Sequence, residues 1–180
     1  MKVALVVGHK SASPGAVNAS TGVTEFEFNA HLAVDVWRKL RAASVLGESV
    51  EPEIHWRRTL EALPGDVSRT EPVFAVSMHA NASFEHEVSG TEVLYYHRRE
   101  VSAQMAAIFQ DKFLAALGLR DRGIKAIDSE DRGGWLLGRL ACDAVLCEPF
   151  FIDRDSDLVT ARESDLAGAY TEATLEALKL

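Results

Sequence analysis

Along this chain the apolar positions fall into short solid runs, separated by polar loops and by longer stretches in which apolar residues recur at helical spacing. Three runs stand out, and each leads straight into a polar residue able to do chemistry. Val3-Ala4-Leu5-Val6-Val7-Gly8 is followed by His9, Val73-Phe74-Ala75-Val76-Ser77-Met78 by His79, and Ala144-Val145-Leu146-Cys147 by Glu148. Runs that are apolar throughout, rather than alternating, predict strands covered on both faces, as in a parallel sheet. The pattern therefore predicts strands at 2–8, 73–79 and 143–148, with shorter ones at 53–57 and 124–127. The segment 91–97 alternates enough to be placed near a sheet edge. A helix is predicted from residue 25 to about 46, with Phe26, Ala30, Ala33, Trp37 and Leu40 on its inward face and Gly47 ending it. A second runs over 101–117 with Val101, Met105, Ile108, Phe109, Phe113 and Leu117 inward, closed by Gly118. Weaker signals mark 60–67 as a helix or turn, 134–140 as a helix and 161–178 as a C-terminal helix. No linker, repeat or low-complexity segment interrupts the series. It reads as one α/β domain over residues 1–180, a mixed and mainly parallel central sheet flanked by helices on both faces.

Composition narrows the setting. A chain of 180 residues buries about 70% of the surface its unfolded form exposes. It is 47% hydrophobic and 26% charged, which is ordinary for a globular protein. The net charge of −8 argues against nucleic acid or an anionic membrane surface as partner, and the pairs Arg57-Arg58 and Arg98-Arg99 are too short to reverse that. Cys142 and Cys147 lie outside zinc-knuckle and redox spacings and read as reduced core thiols. The apolar run after Lys2 is shorter than the ~7–15 residues of an export signal and lacks a cleavage site, and no stretch approaches the ~20 residues of a membrane span. The expectation is a chain made in the cytoplasm without a signal peptide or membrane insertion.

The carboxyl ends of parallel strands are where open α/β sheets gather ligands. His9, His79 and Glu148 each end a predicted strand and Glu25 opens the helix after the first, so all four can converge on one sheet edge. Two imidazoles, one carboxylate and an open fourth position form the ligand set of catalytic zinc, where the ion polarises a water and a carbonyl. A carboxylate off the metal then serves as general base, and Glu148 is the candidate. Other readings stand beside this one. A histidine after a buried strand can simply cap it, and Thr24-Glu25-Phe26-Glu27 fits a capping box, which explains a glutamate without any metal. On the residues alone the pattern points to a metal hydrolase.

Five segments resemble, in order, the motifs of the zinc-dependent N-acetylmuramoyl-L-alanine amidases, the family of bacterial cell-separation amidases and many phage endolysins. They are Val7-Gly8-His9, Glu25-Phe26-Glu27-Phe28-Asn29, Ser77-Met78-His79-Ala80-Asn81-Ala82, Gly90-Thr91-Glu92-Val93-Leu94-Tyr95-Tyr96 and Leu146-Cys147-Glu148-Pro149-Phe150-Phe151. The resemblance implies one zinc ion per chain on His9, Glu25 and His79, with Glu148 as the catalytic carboxylate, and it selects Glu25 over Glu27 by the four-residue step to Asn29. It implies hydrolysis of the amide between N-acetylmuramic acid and L-alanine, so that the partners are the stem peptide and glycan of peptidoglycan. Two departures bear on substrate detail: Lys10-Ser11-Ala12-Ser13 stands where the family commonly has a doubled glycine, and Phe150 where a glycine is usual.

Asn81 is a candidate to support the site by hydrogen bonding, and Arg132 to pair with a stem-peptide carboxylate, on the bidentate fit of guanidinium to carboxylate. His31, His55, His86 and His97 match no ligand position, and His86 is expected at the surface of the rim loop 80–90. Asp153-Arg154-Asp155-Ser156-Asp157 begins like a calcium loop but has Leu158 at the required glycine and Ser164 at the required glutamate, and reads as a solvated turn. The expected function is a single-domain phage or prophage endolysin with no separate wall-binding module, acting on the cell wall after release. The alternatives are an exported antibacterial amidase effector, a non-catalytic muropeptide-binding module, or a zinc hydrolase of another small amide.

Overall fold

A computed structural model describes residues 1–83 and 87–180; His86 lies outside them. The elements run β1 (Lys2–Val7), α1 (Glu25–Val45), β2 (Glu51–Trp56), α2 (Leu63–Ser68), β3 (Phe74–Met78), β4 (Thr91–Tyr96), α3 (Glu100–Leu117), β5 (Asp121–Ile127), α4 (Gly134–Leu137), β6 (Asp143–Glu148), α5 (Ser156–Ala161) and α6 (Glu163–Ala177). The strands form one six-stranded sheet in the order β2-β1-β3-β6-β4-β5. Strands β2, β1, β3 and β6 are mutually parallel, β4 runs antiparallel to β6, and β5 is parallel to β4. This is the mainly parallel sheet that the apolar runs predict, its mixed character matching the family resemblance, and β6 spans the expected residues.

Helices cover both faces unequally. Val3, Leu5, Val7, Val76, Met78, Val145 and Cys147 join Leu32, Val36, Leu40, Phe109, Phe113 and Tyr170 in the larger core under α1, α3 and α6. The alternate positions Ala4, Val6, Ala75, Ala144 and Leu146 meet Leu63, Val67, Leu136 and Leu137 from the short α2 and α4. Such alternation follows from strand geometry, in which successive side chains point to opposite faces.

Three expectations are corrected. Strand β4 lies near the sheet edge as expected, one strand in, but the edge strand β5 that pairs along it is seven residues long rather than four. The polar sequence Asp121-Arg122-Gly123-Ile124-Lys125 conceals a strand whose far side faces solvent. The inward face of α1 is Glu25, Asn29, Leu32, Ala33, Val36 and Leu40; Phe26, Ala30 and Trp37 sit on its shoulder, and the Trp37 indole donates to the Pro52 carbonyl at 3.0 Å. The C-terminal helix is two helices, α5 and α6, broken at Arg162. Pro52 fits β2 because a proline's missing N–H is tolerated on an edge strand.

The rings of Phe109, Phe113 and Tyr170 clamp α3 to α6, with Phe113 and Tyr170 centroids 4.6 Å apart and all three fully buried. Phe113→Ala is expected to cost about 3–5 kcal/mol in urea unfolding. A loss below about 1 kcal/mol would show that this clamp does not hold the helices.

Candidate active site

The first turn of α1 supplies the central group. Thr24 caps the helix, accepting from the Glu27 backbone N–H while the Glu27 carboxylate accepts from Thr24 N–H at 3.1 Å. The capping box therefore uses Glu27, and Glu25 is left to face the sheet edge. There its Oε1 lies 2.9 Å from His79 Nδ1 and accepts from Ala80 N–H at 3.1 Å, while Oε2 lies 3.1 Å from His9 Nε2 and accepts from Ala16 N–H at 3.2 Å. Burial alone would raise the Glu25 carboxyl, but hydrogen bonds with His79 and His9 outweigh it and hold the group well below the usual carboxylate range. Burial pushes His79 down against the pull of Glu25. An ionised carboxylate and a neutral imidazole are the protonation states that a divalent cation requires.

Local backbone makes this convergence possible. His9 has φ 63°, the left-handed region where a non-glycine residue is strained by about 1–3 kcal/mol, and that turn swings its ring back over the site. A Cβ on Gly8 would stand 2.5 Å from His79 Cε1 and 2.7 Å from the Met78 carbonyl oxygen; one on Gly15 would stand 2.5 Å from Glu25 Oε2 and 2.7 Å from His9 Cδ2. These two glycines are the room the ligands need. The donor atoms of His9, Glu25 and His79 lie within 4.8 Å of one another, a span that one ion with ligand distances of about 2.0–2.2 Å closes by small side-chain movement. The atoms that hydrogen-bond one another are those that would turn to the ion, so the residues fit a metal.

Glu148 ends β6 beside this group, since His79 N–H bonds to the Cys147 carbonyl at 3.0 Å. Its side chain is 2% exposed. The Arg132 guanidinium bonds Oε1, while the buried Oε2 has no donor among the described residues. Burial pushes the carboxyl up to about 7; Arg132 pulls it down, and the Glu92 and Glu25 carboxylates push it up. Glu92 faces Glu148 across the β4–β6 ladder. Its own oxygens are taken by Asn81 Nδ2 at 2.6 Å and Arg122 Nε at 2.9 Å, with the Arg122 guanidinium 5.0 Å from the centre of the Phe151 ring. Asn81 Oδ1 in turn lies 3.4 Å from Arg132. The structure thus brings all six residues singled out in the sequence to one sheet edge, and adds Glu92 and Arg122. Glu92 was visible only as part of a motif, and nothing in the sequence marks Arg122.

The sequence profile of the N-acetylmuramoyl-L-alanine amidase family matches residues 3–179. The chain belongs to this family. Among curated relatives it is similar to the N-acetylmuramoyl-L-alanine amidase LytC of Bacillus subtilis strain 168, at 29% identity over 152 residues, covering 83% of this chain and 29% of LytC. It therefore spans under a third of the length of that amidase. Among solved structures it is similar to the catalytic domain of the amidase CwlV from Bacillus (Paenibacillus) polymyxa var. colistinus, at 25% identity and TM-score 0.80 over 99% of both chains. The catalytic domain of the CD27L endolysin targeting Clostridia difficile shares the fold at 23% identity, TM-score 0.82, over 98% and 97% of the two chains.

Other residues fall away from the amidase edge. Asp155 is not in a solvated turn: it is buried and accepts from Phe151 N–H at 3.0 Å and the Ser89 hydroxyl at 2.7 Å, tying the turn to the rim. Cys147 is buried and Cys142 half-buried, both free thiols. Among the described residues no helix is long and apolar enough to cross a membrane.

The raised Glu148 carboxyl has a cost in stability. Below about pH 4 it is protonated folded and unfolded alike; between the ordinary glutamate value of 4.5 and about 7 the unfolded chain releases a proton that the fold retains, so stability falls as pH rises. Glu148→Gln is expected to stabilise the metal-free protein above pH 7 by up to about 3 kcal/mol and to leave it unchanged at pH 4. Urea titrations at both pH values check this, and equal effects at the two would refute it.

Proposed function

We propose that the chain is the catalytic domain of a zinc-dependent amidase that hydrolyses the bond between the lactyl carbonyl of N-acetylmuramic acid and the amino group of L-alanine in peptidoglycan. The observation that carries this reading is the convergence of the His9, Glu25 and His79 donor atoms beside a buried carboxylate with one free oxygen, in a chain of this family. One zinc ion held by those three side chains would supply a Lewis acid for the carbonyl and the attacking water.

The protein's own groups do the rest. Ionised Glu148 accepts the proton of the attacking water through Oε2, the oxygen without a donor, while Arg132 holds Oε1 and stabilises the charge until transfer. The C–N bond then breaks as Glu148 returns the proton to the alanine nitrogen, leaving a lactyl carboxylate and a free amine. A base whose carboxyl sits near 7 suits both transfers. Asn81, held by Glu92, and Arg132, whose side chain is 65% exposed, stand where hydrogen bonds and a counter-charge meet the peptide. We place the chain in a phage or prophage endolysin, on its likeness in fold to an endolysin catalytic domain.

Mass analysis of products from purified peptidoglycan tests this. New L-alanine amino termini are expected with the zinc-loaded wild type, and none after chelation or with Glu148→Ala. Binding of muropeptides without release of peptides would instead make the protein a receptor. Arg132→Ala is expected to move the acid limb of kcat/KM to higher pH, because the guanidinium favours the ionised base; an unmoved limb would remove Arg132 from that role.

A further inference from the structure

The metal site has two unlike flanks. Toward β6, β4 and β5 runs the charged chain Arg132, Asn81, Glu92, Arg122. Toward β2 stands an aromatic pair. Trp56 ends the edge strand β2 and faces Val7 across the β1–β2 ladder, two residues before His9. Adjacent strands are about 4.8 Å apart, so the indole arises one strand from the backbone that delivers the first ligand. Pro52, Ile54 and Trp56 alternate toward α1, where Phe26, the residue after Glu25, meets Trp56 edge-on at 6.4 Å and 68°. Phe26 fixes the indole from one side, and 46% of Trp56 remains exposed. The Lys10 ammonium donates to the Arg58 carbonyl at 3.1 Å, tying the loop after β2 to the loop after His9.

Resting on the amidase reading, we infer that Trp56, backed by Phe26, is the platform for the sugar ring next to the scissile amide, so that the glycan strand lies on the β1–β2 flank and the stem peptide on the β6–β4 flank. The scissile bond joins two chemically different halves. A pyranose presents a face of C–H groups that packs on an indole, with its hydroxyls turned to the rim. A tryptophan held by a neighbouring ring offers that area at little entropic cost. The peptide half carries ionised and amide groups, which match the paired guanidinium, amide and carboxylate groups of the other flank and not a bare ring.

The test uses zinc-loaded Glu148→Gln protein, titrated calorimetrically with three probes: a peptide-free oligomer of alternating N-acetylglucosamine and N-acetylmuramic acid, a free stem peptide and an intact muropeptide. Adding Trp56→Ala is expected to weaken binding of the glycan and the muropeptide at least 10-fold and leave the free peptide unchanged, with Trp56→Phe retaining most of the affinity. Adding Arg132→Ala should affect the peptide and not the glycan. Zinc content and circular dichroism confirm that each variant is folded. Glycan binding undiminished in Trp56→Ala, or lost in Arg132→Ala instead, would overturn the assignment of flanks while leaving the amidase reading intact. Failure of the parent Glu148→Gln protein to bind any probe would overturn both.

Discussion

One carboxylate, taken out of water at the first turn of α1, is the interaction on which the whole catalytic edge depends. An isolated buried carboxylate costs several kcal/mol. Glu25 is compensated from every direction: two imidazoles, the Ala16 and Ala80 amides, and the positive end of its own helix. The side-chain and amide partners come from two segments, His9 and Ala16 after β1 and His79 and Ala80 after β3, so Glu25 also locks both loops onto α1. The His9, Glu25 and His79 cluster is in this sense a tertiary joint, and a cation bound there would take over a geometry that hydrogen bonds already organise.

Glu148 is the opposite case on the same edge. It is as buried as Glu25 but has a single guanidinium partner, a second carboxylate across the ladder and an oxygen with no donor. Two acids on one sheet edge are thus driven in opposite directions, one held ionised and the other raised to about 7. Environments that push neighbouring titratable groups apart are how such sites divide roles. The price is local instability, visible in the left-handed His9 and the orphaned Glu148 oxygen.

Much of this was legible in the chain because buried parallel strands announce themselves as unbroken apolar runs, and three such runs end at His9, His79 and Glu148. The capping box was legible too, since the three-residue step from Thr24 marks Glu27, but that Glu25 turns to the sheet edge follows only from the direction it faces on the helix. The inward face of α1 was misread because Phe26 and Trp37 outweigh smaller residues in any hydrophobic count, while their rings serve the β2 flank. Strand β5 was largely hidden by its polar, half-solvated sequence, and with it Arg122. The Glu92–Glu148 and Arg132–Glu148 partnerships depend on an antiparallel register and on a loop that brings Arg132 to the end of β6, and neither leaves a local signature.

The most direct test of the central claim is the zinc stoichiometry of the purified protein and three variants, by elemental analysis after dialysis against limiting zinc. The wild type and Glu148→Ala should each hold one zinc per chain, while His79→Ala and Glu25→Ala should hold none. Zinc retained by both ligand variants, or absent from the wild type, would show that His9, Glu25 and His79 do not form the metal site.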